Sequence, residues 1–150
     1  MKDIELWLGD CLEIMKNIPD KSVDLVFADL PYGVTANKLD IVIPFDSLWK
    51  EYLRVRKENT CYALFAQGLF YVDLVKSKRK MYKYDIIWDK VLVSGFLNAK
   101  KMPMRKHEQL AIFYGKQPIY NPQMTKGEKS HSKGKAVGKK NSEVLGNDNY

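Results

Sequence analysis

The tetrapeptide Asp29-Leu30-Pro31-Tyr32 closes a run of strand-forming, mostly apolar residues, 23–28, and is followed at once by Gly33. An acid in this position offers a fixed anionic acceptor, and the Leu30 peptide carbonyl offers a second one beside it. Pro31 has no N–H and a fixed φ, so it stiffens the corner and holds that carbonyl in place. Tyr32 adds a flat face. Two acceptors and one stacking surface match an exocyclic aromatic amine, which carries two N–H donors on a planar base. The lone pair of such an amine is delocalised into its ring, which makes the nitrogen a poor nucleophile. Gripping both protons favours a pyramidal nitrogen and stabilises the positive charge that develops during attack, an effect on the order of several kcal/mol per well-aimed group. A base buried in a duplex must be flipped out to reach such a corner, and Tyr32 would receive it, with stacking worth about 1–3 kcal/mol. The plain alternative is that Asp29 caps a helix and that Pro-Tyr-Gly is ordinary turn chemistry.

The elements that would position this corner follow from the pattern around it. Residues 4–8 alternate apolar at Ile4, Leu6 and Leu8 and read as a short strand ending at Gly9-Asp10. Asp10 suits an N-cap, with Glu13 completing a capping box. Leu12, Met15 and Ile18 follow at helical spacing until Pro19 stops them. Residues 23–28, apolar on both faces except at Asp24, predict a central parallel strand covered on both sides. A helix is predicted from Asp46 or Ser47, a buried strand over 60–65, a helix over 69–78, and strands over 84–88 and 109–114. Tyr84 and Trp88 read as core. This alternation predicts an α/β fold, a doubly wound sheet with helices on both faces. In such sheets ligands gather beyond the carboxyl ends of strands, where Asp10 and Asp29 both fall.

With those residues in view, the run Trp7-Leu8-Gly9-Asp10-Cys11-Leu12-Glu13, then Ser22 through Gly33, resembles the amino-type DNA methyltransferases. It is most similar to the permuted branch, in which the catalytic motif precedes the cofactor motif. Ile43-Pro44-Phe45-Asp46 with Trp49, Leu64-Phe65-Ala66-Gln67-Gly68, Tyr84-Asp85-Ile86-Ile87-Trp88, Pro103, His107-Glu108 and Tyr120-Asn121-Pro122 extend the resemblance over residues 4–124. It implies a Rossmann-like fold that uses S-adenosylmethionine to methylate double-stranded DNA. Asp29, the Leu30 carbonyl and Tyr32 would grip the flipped base, with Pro31 as stiffener. Asp10, the Cys11 amide and Asp29 would meet the cofactor. An acid in first position implies adenine N6, with cytosine N4 as the alternative. The second position is usually Pro in that family and is Leu30 here. The family's Phe-x-Gly-x-Gly loop is missing from residues 1–150, so the resemblance implies the amino-terminal portion of a longer enzyme or a truncated gene product, partnered by self-association or by a missing C-terminal half, with a non-catalytic DNA-binding remnant as the alternative.

Residues 1–121 are therefore expected to form an incomplete catalytic region, and 122–150 a basic linker or the start of a target-recognition region. The net charge is +7, which favours a polyanionic partner. Residues 126–140 carry six lysines against Glu128, a net +5, and suit either a solvated linker or a DNA-facing segment. Lys126 and Lys129 there, with Lys100, Lys101, Arg105 and Lys106 nearer the corner, are the candidate phosphate contacts. Lys78, Arg79 and Lys80 read as a basic helix end, and His107-Glu108 as a surface pair. Two cysteines without framework spacing suit a reducing cytoplasm, two histidines supply no metal cluster, and the N-terminus shows no signal peptide.

Overall fold

A computed structural model describes residues 4–124. The chain divides into a unit of residues 1–119 and a second of residues 120–150. In the first, the described elements are α1 (Cys11–Ile14), which runs into a 3-10 turn (Met15–Asn17), β1 (Val23–Asp29), α2 (Phe45–Val55), β2 (Arg56–Ala66), α3 (Gly68–Ser77), β3 (Tyr82–Ser94), a 3-10 turn (Phe96–Asn98) and β4 (Arg105–Phe113). In the second unit, residues 120–124 have no regular structure. Among the described residues no helix is long and apolar enough to cross a membrane.

The strands form one sheet in the order β1-β2-β4-β3. β1 pairs parallel with β2, while β4 runs antiparallel to both β2 and β3. One face is packed. In α2, Leu48, Trp49, Tyr52 and Val55 recur on one side and are buried, the spacing of a core-facing stripe. Phe70 and Leu74 do the same for α3. Together with Met15 they enclose Tyr62, Leu64, Ala66, Ala111 and Phe113 from the sheet. Trp49 is the hub: its ring meets Tyr52, Tyr62 and Phe113 edge-on, and its indole N–H donates to Ser77 Oγ at 2.8 Å. Buried Thr60 satisfies its hydroxyl on the Val23 carbonyl at 2.6 Å. Arg54 ties the segment before β1 to α2 by donating to the Met15 and Ile18 carbonyls.

The described helices all pack on that face; the opposite face carries only a small buried cluster of Ala63, Leu110 and Ile112, flanked by Cys61, Phe65 and Tyr114, and its outer strands are open among the described residues. Successive rungs run Phe27, Ala63, Ile112, Tyr84 and Asp29, Phe65, Leu110, Ile86, with Trp88 beyond. Phe27 meets Phe65 and Phe65 meets Trp88, both edge-on. Leu25 is 56% exposed and Phe27 61%, so β1 is covered on one face only and stands at the sheet edge rather than at its centre. Tyr84 and Trp88, expected in the core, are 45% and 54% exposed for the same reason. Residues 4–8 form no strand, and Ile4, Leu6 and Leu8 are exposed. A strand exists only where a neighbour takes its N–H and C=O groups, and none of the described residues does so here.

The two faces should respond differently to substitution. Leu64→Ala on the packed face is expected to cost about 2–5 kcal/mol in urea unfolding. Leu25→Lys on the open face should change stability by no more than about 0.5 kcal/mol while reducing the binding of an apolar dye such as anilinonaphthalene sulfonate. Equal destabilisation by both would show that the open face is covered.

Candidate active site

At the end of β1 the strand's alternation decides which way each side chain goes. Ala28 packs against the core, Asp29 is exposed, and Leu30 returns inward at 8% exposure. Pro31 then turns the chain and Tyr32 lies partly buried. The Tyr32 ring stacks on Phe70 from α3, with centroids 4.9 Å apart and planes 26° apart, and Phe45 from α2 flanks Phe70 at 5.7 Å. The Tyr32 hydroxyl donates to Asp29 Oδ1 at 3.0 Å. Burial first, then this bond to the carboxylate, pushes the Tyr32 pKa up, so the phenol stays a proton donor at neutral pH. Asp29 is in no ion pair among the described residues. The Leu30 carbonyl accepts no backbone hydrogen bond from them either.

Beside these groups lies an open cavity of about 450 Å³ lined by Asp29, Leu30, Pro31, Tyr32, Thr35 and Asp40, among others. That volume is in the ordinary range for a small-ligand site, roughly 300–1,000 Å³. Its outer wall is the loop that follows the corner. Asp40 organises it. The amides of Gly33, Val34 and Thr35 all point at the Asp40 carboxylate, at 2.8, 2.9 and 2.7 Å. Gly33 is required at the start of this nest: its φ is +68°, and a Cβ there would lie 2.9 Å from Val42 Cγ2. The Thr35 hydroxyl, followed by the backbone amides, holds the Asp40 carboxyl down to about 2. Only the glycine in a positive-φ position, followed by an Asp a few residues on, could have flagged this latch in the sequence.

The other candidate residues divide. Asp10 caps α1, its Oδ1 accepting from the Leu12 amide at 2.8 Å and the Glu13 amide at 3.3 Å. Glu13 does not complete a capping box but pairs with Lys16. Cys11 is exposed, and burial of its thiol followed by the nearby Asp10 charge pushes its pKa up. Among the described residues no hydrogen bond or ion pair joins Asp10 or Cys11 to Asp29. Both amides share Asp10 Oδ1, which leaves Oδ2 to accept from a cofactor's adenine amine; the described residues add no glycine-rich cradle for its methionine end, so they fit S-adenosylmethionine only in part.

On the far side, Arg105 donates to Gln67 Oε1 at 2.9 Å and Lys106 pairs with Asp89 at 3.1 Å. Lys100 and Lys101 are exposed with no ion pair among the described residues. Lys126 and Lys129 lie outside the described residues. Glu108 pairs with Lys90 at 2.7 Å, and exposed His107 is a surface residue. No group of three His, Cys, Asp or Glu among the described residues could hold a metal ion.

No protein-family model matches the chain. The type II methyltransferase M.BamHI of Bacillus amyloliquefaciens is 50% identical over 30 residues, which are 20% of this chain and 7% of that protein. Among solved structures, M1.HpyAVI in complex with SAM superposes with a TM-score of 0.57 at 18% identity, over 81% of this chain and 61% of that one. The PvuII DNA methyltransferase, described as cytosine-N4-specific, gives a TM-score of 0.57 at 14% identity, over 75% and 49%. The chain thus spans less than two thirds of each of these proteins. What it shares with the two solved structures is the fold, which in this chain is a four-stranded, partly Rossmann-like α/β sheet.

The latch has a defined pH response. Because the Asp40 carboxyl is depressed from 3.8 to about 2, its ordering effect is complete above about pH 4 and is lost as pH falls through 2. Amide exchange protection at Gly33, Val34 and Thr35 should therefore drop over that interval, and Asp40→Asn should show reduced protection already at pH 6. Unchanged protection in both would remove Asp40 from this role.

Proposed function

We propose that this chain carries the base-gripping part of a DNA methyltransferase of the amino type, in the permuted order, acting on adenine N6. The observation that carries the reading is the rim itself. An exposed carboxylate, fixed by the Tyr32 hydroxyl, stands beside an uncommitted peptide carbonyl at the mouth of an open cavity. Asp29 and the Leu30 carbonyl each accept one proton of the target amine, and Pro31 keeps the carbonyl from turning away. Tyr32, backed by Phe70, supplies the stacking platform for a base lifted out of the duplex. Asp29 thereby stabilises the positive charge that grows on the nitrogen as the new bond forms.

S-adenosylmethionine is the methyl donor in this reading, with Asp10 and the Cys11 amide at its adenine end. In this reading residues 1–121 are the incomplete catalytic portion and 122–150 a basic linker or the start of the target-recognition region. The groups missing for the methionine end would come from further sequence or a complementing polypeptide. A second reading keeps the geometry and takes cytosine N4 as the acceptor; the likeness to the PvuII enzyme favours it.

Two measurements test the proposal. In a duplex with one unpaired base, adenine should bind about 10- to 100-fold more tightly than purine, which lacks the amine, as expected for two hydrogen bonds of which one is to a charged group. Asp29→Ala should abolish that preference, whereas Tyr32→Ala should weaken both ligands by the stacking term. Equal affinities for adenine and purine would overturn the reading. Calorimetry with S-adenosylmethionine on the 150-residue chain should give a Kd of about 1 mM or weaker, and micromolar binding would refute the partial-site account.

A further inference from the structure

The β3–β4 hairpin projects from the same end of the sheet as Asp29. β1 and β2 run together, β4 opposes β2, and β3 opposes β4, so the carboxyl ends of β1 and β3 point the same way. Asp29, Phe65, Leu110 and Ile86 share one rung. From that rung β4 continues five residues to Arg105, roughly 17 Å at the usual strand rise. The hairpin therefore stands across β2 from the cavity, at the same end of the sheet, and reaches past the level of Asp29. Gln67, the residue after β2, fastens its base by donating to the His107 carbonyl at 2.7 Å and accepting from Arg105 at 2.9 Å.

The tip has an unusual surface. Val91, Leu92, Phe96 and Leu97 are 73–87% exposed, and Gly95, at φ 89°, turns the chain into the Phe96–Asn98 turn that presents two of them. Residues 90–106 also contain five cations (Lys90, Lys100, Lys101, Arg105, Lys106) and no acid. Lys90 and Lys106 pair with Glu108 and Asp89, while Lys100, Lys101 and Arg105 are in no ion pair among the described residues. An apolar point beside such cations is poorly suited to water and well suited to a polyanion with a stacked interior. Cations fit phosphates, a two-stranded ribbon fits the major groove, and apolar wedges part base steps.

Resting on the proposed base-gripping reading, we propose that this hairpin tip is a duplex-DNA wedge. Lys100 and Lys101 contact phosphates, and Phe96 with Leu97 enters the base stack next to the base delivered to Asp29. The wedge fills the space the extruded base leaves and so lowers the cost of extrusion. This distinguishes it from a general phosphate contact.

Fluorescence anisotropy on the full chain separates these contributions. Lys100→Gln with Lys101→Gln should weaken binding alike on all sequences and reduce the slope of log affinity against log salt by about 2. Phe96→Ser with Leu97→Ser should weaken binding to an intact duplex roughly tenfold, yet bind a duplex with an abasic gap at the same step within about twofold of wild type. Both double variants alter exposed residues, and unchanged circular dichroism would show that they fold. Wild-type affinity in both variants would overturn the proposal. So would equal impairment of the serine variant on intact and gapped duplexes, or serine-sensitive binding to anionic phosphatidylglycerol vesicles with no change on DNA. Asp29→Ala should leave the wedge effects intact. If adenine and purine bind equally while the wedge results hold, the base-gripping reading fails and the DNA surface stands.

Discussion

The rim depends on the burial of one side chain. Leu30 is pulled into the core beneath the sheet, a gain of about 2 kcal/mol for a leucine removed from water. Because strand neighbours face opposite ways, anchoring Leu30 obliges Asp29 to face out. Leu30 thus contributes in two ways that do not interfere. Its side chain holds the corner to the core, and its carbonyl remains available at the surface. A proline at this position, as the resembled family usually has, would stiffen the corner but bring less apolar surface. Pro31 supplies the stiffness here one residue later.

Around that anchor the site is held in place from two directions. From below, Phe70 supports the Tyr32 ring, and Phe70 is itself fixed by α3 and flanked by Phe45. From outside, the Asp40 carboxylate gathers three successive amides of the loop that follows the corner. The bond from Tyr32 to Asp29 ties the supported ring to the carboxylate. A carboxylate and a ring oriented before a ligand arrives need little reorganisation when charge develops, which is where such sites gain most of their effect.

Much of this was legible in the sequence, and the misses share a cause. The run at residues 23–28 became β1, the stripe of Leu48, Trp49, Tyr52 and Val55 became α2, and the order of elements predicted an α/β sheet. These signals are local, since hydrophobic period and turn chemistry need no knowledge of partners. Residues 4–8, Tyr84 and Trp88 went otherwise because apolar spacing states what a segment could bury, not what lies across from it. Tyr84 and Trp88 do sit in a strand, on the face that the described helices leave open. Parallel and antiparallel pairing is likewise a property of two segments, and so was not legible in β4 alone. Gln67 and Asp40 were missed because their partners, Arg105, His107 and three loop amides, depend on how the chain turns.

One-sided packing also bears on how the rim can work. A sheet with helices on one face and four strands of apolar side chains on the other is anchored firmly only from the helix side. The elements that form the rim, the corner after β1, the residue after β2 and the base of the β3–β4 hairpin, are joined to one another by side chains rather than by a covering layer. Tyr32 reaches Phe70, and Gln67 reaches Arg105 and His107. The first ties the β1 corner to α3, and the second crosses from the end of β2 to β4 beyond their last pair, Ala66 with Gln109. The geometry at Asp29 therefore rests on the core under Leu30 and on these few polar ties, and not on anything that covers Phe27 or Trp88.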